Sequence, residues 1–171
     1  MSDQEQPKPQ LVRDLMTVGV VTCLPDTTLV EIAGLMLDSE VEAVVVLEAG
    51  NALGVIGQDE LIKAFTRQDY SGLTAEQIMR EGVPQIPADV PLTVAAQYML
   101  DQRIRVLFLM HHAGGIEYPA ALISYRHLLR LMSANDPQEL SDLGILAERQ
   151  SPLETFLKRR EEARRKNRPE K

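Results

Sequence analysis

Three polar side chains that are well suited to anion binding stand together in the second half of the chain. Ser124, Arg126 and His127 directly follow the apolar residues 121–123. A hydroxyl and a guanidinium donate hydrogen bonds to phosphate or carboxylate oxygens, and a protonated imidazole does the same. A neutral imidazole accepts one bond instead. The same residues also fit a simpler role, in which Ser124 caps the helix that follows and the other two lie on its exposed first turn.

Residues with other chemistry give little support for catalysis. The sequence shows no Ser/His/Asp order, no paired-acid arrangement suited to catalysis and no glycine loop that would hold phosphate. His111 and His112 are adjacent in a predicted loop, and adjacent histidines rarely meet at one ion without a third ligand. Cys23, the single cysteine, is most simply a buried apolar residue. We therefore predict no catalytic residue, no metal site and no enzyme activity.

An internal repeat organises the chain. Residues 15–47 align without a gap with residues 78–110, an offset of 63 positions. Met16 then falls on Met79, and the segment MLD of the first copy falls on MLD of the second. An insertion of four residues between 111 and 119 restores the alignment further along the chain.

Beyond that insertion, the polar cluster of the second copy has a counterpart in the first. The segment GVIGQDEL falls on ALISYRHL, so that Gly57 is equivalent to Ser124 and Glu60 to His127. One copy has about 55 residues and is marginal for independent stability. We therefore predict that the two copies share a core and that a cleft lies at their interface.

Each copy shows the pattern of a strand, a helix, two strands and a second helix. Thr28 and Glu31 form a predicted capping box, and Pro91 suits the first position of a helix. The predicted strands cover 20–24, 43–47 and 54–56 in the first copy and 83–86, 106–110 and 121–123 in the second. The predicted helices cover 29–37, 58–66, 92–100 and 125–132.

This repeated pattern resembles the CBS domain. The resemblance is carried by an apolar-Met start, the segment TCLPDTTLVEIAGLMLD, a valine strand and the segment GVIGQDELIKAF. It covers residues 11–133, and the tandem arrangement is similar to a CBS pair, or Bateman module. It implies an α+β fold (α/β-like in its CBS repeats), in which two β-α-β-β-α repeats pack as a pseudo-twofold pair. It also implies a regulatory module, since many family members bind adenosine derivatives between the repeats.

The family's ligand motif implies site residues in both repeats. The motif consists of Gly, two apolar residues, Thr or Ser, two variable residues and Asp. Its hydroxyl and the helix N-terminus face phosphate, and its acid accepts bonds from ribose hydroxyls. The first strand of each repeat surrounds the adenine. The implied ligand-binding residues are Ser124, Arg126, His127, Val83, Gln85, Gly57, Asp59, Glu60, Val20 and Thr22.

The chain departs from the motif at both sites. Gly57 stands where the hydroxyl is expected, and Glu60 and His127 replace the acid. The resemblance implies no required cofactor, and AMP, ADP, ATP, NAD or S-adenosylmethionine as a regulatory ligand. The cleft that contains Ser124 is the better equipped for an anion. The alternative is a ligand-free scaffold with degenerate sites that binds a protein partner through a C-terminal helix.

Composition sets the remaining expectations. Of the 171 residues 44% are hydrophobic, the net charge is −7, and no apolar run approaches the ~20 residues of a membrane helix. The N-terminal sequence has no apolar signal-peptide region, so we expect a cytoplasmic protein. An acidic body argues against nonspecific nucleic-acid binding. We also expect a homodimer.

The predicted organisation has five parts. A flexible tail covers residues 1–10, the first repeat 11–66, a linker 67–73, the second repeat 74–133 and a helical basic extension 134–171. The extension carries Leu153, Phe156 and Leu157 at helical spacing, and eight Lys or Arg against three Glu from residue 158 onward. Three roles stay open for it, namely a solvated helix, docking on a second protomer, and contact with nucleic acid or an anionic membrane.

Overall fold

The computed structural model describes residues 10–134, which form two copies of one arrangement. The first copy contains α1 (Val12–Leu15), β1 (Thr17–Val18), β2 (Thr22–Cys23), α2 (Leu29–Asp38), β3 (Ala43–Glu48), β4 (Asn51–Gly57) and α3 (Gln58–Phe65). A short 3-10 turn, Tyr70–Gly72, follows. The second copy contains α4 (Ala75–Ile78), β5 (Arg80–Glu81), α5 (Leu92–Gln102), β6 (Val106–Ala113), β7 (Ile116–Ser124) and α6 (Tyr125–Ser133). The predicted extension and most of the predicted N-terminal tail lie outside the described residues.

The long helices and strands confirm the elements that periodicity predicts. The capping box of α2 is present, because Thr28 N–H donates to a Glu31 carboxylate oxygen at 2.9 Å and Thr28 Oγ1 accepts from Glu31 N–H at 3.4 Å. Pro91 is the N-cap residue of α5 rather than its first helical residue. The four-residue insertion lengthens the hairpin of β6 and β7, whose turn contains Gly114 and Gly115 at positive φ.

The first predicted strand of each repeat is shorter than expected. In the first repeat the strand over 20–24 is reduced to Thr22–Cys23. In the second, the strand over 83–86 is wrong, since only Gln85 bridges to Phe108. Phe108 N–H donates to Pro84 O and Ile86 N–H donates to Phe108 O. Pro84 has no N–H with which to extend this parallel ladder.

The two repeats exchange their first short strands. β1 pairs with β7 in the sheet β1-β7-β6, and β5 pairs with β4 in the sheet β2-β3-β4-β5. The register is equivalent in both, with Val18 opposite Ala121 and Glu81 opposite Gly54. The elements α1, β1, α4 and β5 are each only two to four residues long, too short to give a periodic signal in the sequence. Because each sheet needs a strand from the other repeat, neither repeat is complete alone.

The core confirms that the repeats are packed against each other. Successive residues of a strand face opposite sides, and β3 is buried on both. Val44 and Val46 pack with the helices of the first repeat, while Val45 packs with Val106 and Phe108 of the second. Among residues 10–134, no helix is both long and apolar enough to cross a membrane.

Candidate functional site

Two clefts related by the repeat lie between the copies. The cleft named here the Ser124 cleft has a volume of about 220 Å³ and lies beside the start of α6. The Gly57 cleft is smaller, about 40 Å³, and lies beside the start of α3. The structure brings Ser124, Arg126 and His127 together in the first cleft, and Gly57, Asp59 and Glu60 in the second. Their assignment as ligand contacts stays a prediction.

The buried residue His127 uses both of its ring nitrogens within the protein. Nδ1 accepts the backbone N–H of Ser124 at 3.1 Å and lies 3.0 Å from Ser124 Oγ. Since Nδ1 is an acceptor, the ring proton belongs on Nε2, which lies 2.7 Å from Thr17 Oγ1. His127 therefore joins α6 to the exchanged strand β1, and a ligand reaches a ring nitrogen only by replacing one of these partners.

The environment of His127 favours its neutral form. Burial lowers the pKa of the imidazole from its ordinary value of 6.5, and the nearby charge of Arg130 lowers it further, partly opposed by Glu42. The charge of Arg126 acts in the same direction as that of Arg130. A neutral ring adds no positive charge to the cleft, whose positive charges, in the part of the chain that the structure describes, are those of Arg126 and Arg130.

Ser124 and Arg126 are placed differently with respect to solvent. Ser124 ends β7 and is only 2% exposed. Arg126 is exposed, donates to Glu40 O at 3.1 Å and has its guanidinium 3.7 Å from the Glu40 carboxylate. Arg126 therefore has an acidic neighbour, Glu40. The pair is exposed enough for an incoming anion to compete for the guanidinium.

The Gly57 cleft repeats the same local capping arrangement. A Glu60 carboxylate oxygen accepts the Gly57 N–H at 2.9 Å, as the His127 ring does for Ser124. A Cβ added at Gly57 would lie 3.1 Å from that oxygen. Glu60 thus serves first as a helix cap, with its second oxygen left for other contacts.

The two clefts carry opposite charge arrangements at equivalent positions. In the Ser124 cleft, Glu40 and Glu42 on one wall face the helix residue Arg126. In the Gly57 cleft, the equivalent wall carries Arg103 and Arg105, which face Asp59. Glu40 and Arg103 even share a left-handed backbone, with φ of 52° and 53°. A ligand therefore meets reversed polarity in the two clefts, which favours different occupants or different orientations.

Four of the predicted contacts line neither cleft. Val20 and Val83 pack against the core between the sheets, and Thr22 pairs with Val45. The Gln85 side chain donates to Glu117 at 2.6 Å, on the surface. These positions lie in the segments 20–24 and 83–86, where the sequence predicts the first strand of each repeat. As ligand contacts they stay predictions.

Sequence reasoning missed the wall residues. The alignment with an offset of 63 places Glu40 on Arg103 and Glu42 on Arg105. The reversal of charge between the two walls is therefore visible in the sequence alone. What the sequence could not show is that these positions face α6 and α3. It also could not show that Thr17, in a strand only two residues long, is the partner of His127.

The remaining candidates behave as ordinary structural residues. Burial raises the pKa of the Cys23 thiol to about 11, which agrees with a buried apolar role. The His111 ring packs against Tyr118 at 5.3 Å between centroids. Within residues 10–134, no three His, Cys, Asp or Glu side chains are arranged to hold a metal ion.

Comparison with known proteins identifies the fold. Residues 12–67 match the CBS domain family. The CBS domain pair of protein MJ0100, in complex with 5′-methylthioadenosine and S-adenosyl-L-methionine, superposes with a TM-score of 0.63 at 18% identity. This match covers 72% of this chain and 100% of that one. A comparison with curated protein sequences gives no match.

Two further solved structures have a fold similar to that of this chain. The CBS-domain containing protein ATU1752 from Agrobacterium tumefaciens gives a TM-score of 0.62 at 24% identity, covering 71% of this chain and 98% of that one. A putative acetoin utilization protein (AcuB) from Vibrio cholerae gives 0.60 at 20% identity, covering 83% and 98%. Residues 12–67 thus match the CBS domain family, and the described residues have the fold of a CBS-domain pair.

Proposed function

We propose that the protein is a regulatory module that binds a small anionic ligand, an adenine nucleotide or another adenosine derivative, between its two repeats. The observation that supports this most is the Ser124 cleft, about 220 Å³ in volume. Arg126 and Arg130 line it together with the buried Ser124 at the N-terminus of α6. Arginine side chains favour phosphate, because their guanidinium groups donate charge-assisted hydrogen bonds to its oxygens. The adenosine derivatives bound by the MJ0100 pair support the choice of ligand class.

Ligand binding would act through the link between the repeats. His127 holds β1 of the first repeat against α6 of the second, and Ser124 bonds to the same ring. A ligand that engages Ser124 therefore alters the hydrogen bonds that join the two repeats. A change in packing between repeats is the regulatory signal that we propose, with the C-terminal extension as its reporter.

Thermal shift and calorimetry with AMP, ADP, ATP, NAD and S-adenosylmethionine test the ligand class. We expect stabilisation by at least one of them, and its loss in Ser124→Ala and Arg126→Gln. Glu48→Gln, at the exposed end of β3, is the control and should keep the response. No stabilisation of the wild-type protein by any of the five at millimolar concentration contradicts the adenosine assignment.

A scaffold function is the second candidate, and the capping bonds support it. Glu60 and His127 replace the expected acid and already bond to backbone N–H groups, so neither side chain needs a ligand to fill this bond. In this case the C-terminal extension binds a protein partner. Pull-down with the full chain and with a chain that ends at Ala134 separates the candidates, because a scaffold loses its partner and a sensor keeps its ligand.

We also propose a homodimer that forms through the exposed apolar side chains of α2 and α5. Leu37 and the equivalent Leu100 are 79% and 60% exposed. Val30 and Val94 are 55% and 54% exposed on the same two helices. Light scattering should give twice the chain mass of 19.1 kDa. Leu37→Asp combined with Leu100→Asp should give a monomer, and a monomeric wild type contradicts the proposal.

A further inference from the structure

Glu42 has an unusual position at the junction of the two clefts. It directly precedes β3 and lines both the Ser124 cleft and the Gly57 cleft. One carboxylate oxygen, Oε2, is buried and has no hydrogen-bond partner among the described residues. Within residues 10–134, Glu42 also forms no ion pair, unlike Glu40 and Asp59. Removing a carboxylate oxygen from water without supplying a donor is unfavourable.

The repeat shows that this lack of a partner is specific to Glu42. Its equivalent, Arg105, lies 3.8 Å from Asp59 across the Gly57 cleft. The same geometry in the Ser124 cleft would pair Glu42 with Arg126. Arg126 instead contacts Glu40. The Oε2 atom of Glu42 is therefore left without a hydrogen-bond donor from the described part of the chain. A polar group kept in an unfavourable environment commonly marks a functional site.

The surroundings of Glu42 define the ligand chemistry. Arg126 and Arg130 lie in the same cleft and attract an anionic group. The Glu42 carboxylate accepts bonds from two adjacent donors and repels a second anion. Rotation about the last side-chain torsion, which has broad energy wells, turns either oxygen toward the cleft. A matching ligand therefore carries neighbouring hydroxyl groups together with an anionic group.

We propose that Glu42 selects the ligand of the Ser124 cleft by accepting hydrogen bonds from its adjacent hydroxyl groups, while Arg126 and Arg130 hold its anionic end. This inference rests on the proposed function and names the residue that recognises the sugar. His127 of α6 is engaged with Thr17 and Ser124. In this proposal the acceptor for the sugar hydroxyls is therefore Glu42, just before β3, and not His127.

The test uses AMP and 2′,3′-dideoxy-AMP as probes on the full chain, with the variants Glu42→Ala and Glu42→Gln. Glu48→Gln changes the same charge at the exposed far end of β3 and is the control. Without a probe, we expect both Glu42 variants to melt at or above the temperature of the wild type. With AMP, we expect at least a tenfold weaker binding to Glu42→Ala and unchanged binding to Glu48→Gln. Dideoxy-AMP should bind the wild type and Glu42→Ala equally and weakly.

Each other result decides against the inference in a different way. If AMP binds Glu42→Ala as tightly as it binds the wild type, the selection by Glu42 is wrong while the sensor function stands. If AMP and dideoxy-AMP bind the wild type equally well, the selection by Glu42 is also wrong while the sensor function stands. If the Glu42 variants melt well below Glu48→Gln, Glu42 supports the fold and the inference is wrong. If the wild type binds neither AMP nor any of the other adenosine derivatives, the proposed function and the inference both fail.

Discussion

Thr17 Oγ1 lies 2.7 Å from Nε2 of His127, and this hydrogen bond joins the first strand of one repeat to the last helix of the other. The two residues are 110 positions apart in sequence. His127 is 7% exposed, so an unpaired Nε2–H would be left without water. The pair therefore helps to hold the exchanged strand β1 in the sheet of the second repeat.

Removal of the Thr17 hydroxyl should destabilise the protein. We expect Thr17→Ala to lower the free energy of unfolding by about 1–3 kcal/mol, because it leaves a buried donor without a partner. Thr17→Ser keeps the hydroxyl and is the matched control, which should restore most of this loss. Urea unfolding measures both. A Thr17→Ala variant as stable as the wild type would show that water or another group replaces the bond.

Acidification should weaken the fold through His127. Burial and then Arg130 hold the pKa of its imidazole below 6.5 in the folded protein, so the unfolded chain takes up the proton first as the pH falls. The contribution of His127 is therefore present in full above pH 6.5 and is lost as the pH falls below that value. The free energy of unfolding should decline over this range more steeply in the wild type than in His127→Gln.

The variant His127→Gln suits this comparison because the chain already uses a glutamine to accept a backbone N–H at the start of a helix. Gln77 Oε1 accepts the Thr74 N–H at 3.0 Å at the start of α4. Glutamine at 127 can keep the capping bond while it removes the titrating group. The two exposed histidines of the β6–β7 hairpin are unchanged in both proteins. Parallel pH profiles of wild type and variant would contradict a buried neutral His127.

The exposed ion pair in the Gly57 cleft should contribute little to stability. Arg105 lies 3.8 Å from Asp59, and the two side chains are 56% and 58% exposed. Such pairs contribute about 0–1 kcal/mol. We expect Asp59→Asn to change the free energy of unfolding by less than about 0.5 kcal/mol. Ile56→Ala, at a fully buried position three residues earlier, should cost about 2–5 kcal/mol by comparison.

The parts of the fold that were predictable are those specified within one repeat. Periodic apolar residues over 29–37 and the Thr28–Glu31 pair are local signals, and α2 follows them. β1 and β5 are too short to give a periodic signal, and their partners lie in the other repeat. The candidate site shows the same division. The alignment located Ser124 and Gly57, whereas the engagement of His127 by Thr17 depends on strand exchange and has no local signature.

Close approach of the exchanged strand β5 to β4 makes Gly54 sensitive to the smallest substitution. A Cβ at Gly54 would lie 2.5 Å from Arg80 O and 2.8 Å from Met79 Sδ. The backbone oxygen cannot turn away as a flexible side chain can, so β5 must shift. We expect Gly54→Ala to lower the free energy of unfolding by about 3 kcal/mol. Gly34→Ala in α2 is the matched control, since a Cβ there meets nothing within 4 Å.

The control variant Gly34→Ala should raise the free energy of unfolding instead of lowering it. Alanine in place of a helical glycine raises the free energy of unfolding by about 1 kcal/mol when it fits. Both variants replace glycine with alanine. Gly54→Ala tests the backbone contact between the repeats, and Gly34→Ala tests the helix preference of alanine within one repeat. Thermal and urea unfolding measure the difference between the two variants. If Gly54→Ala matches the wild type, β5 is not held against β4 as tightly as the structure places it, and the exchange of strands contributes less to the pairing of the repeats.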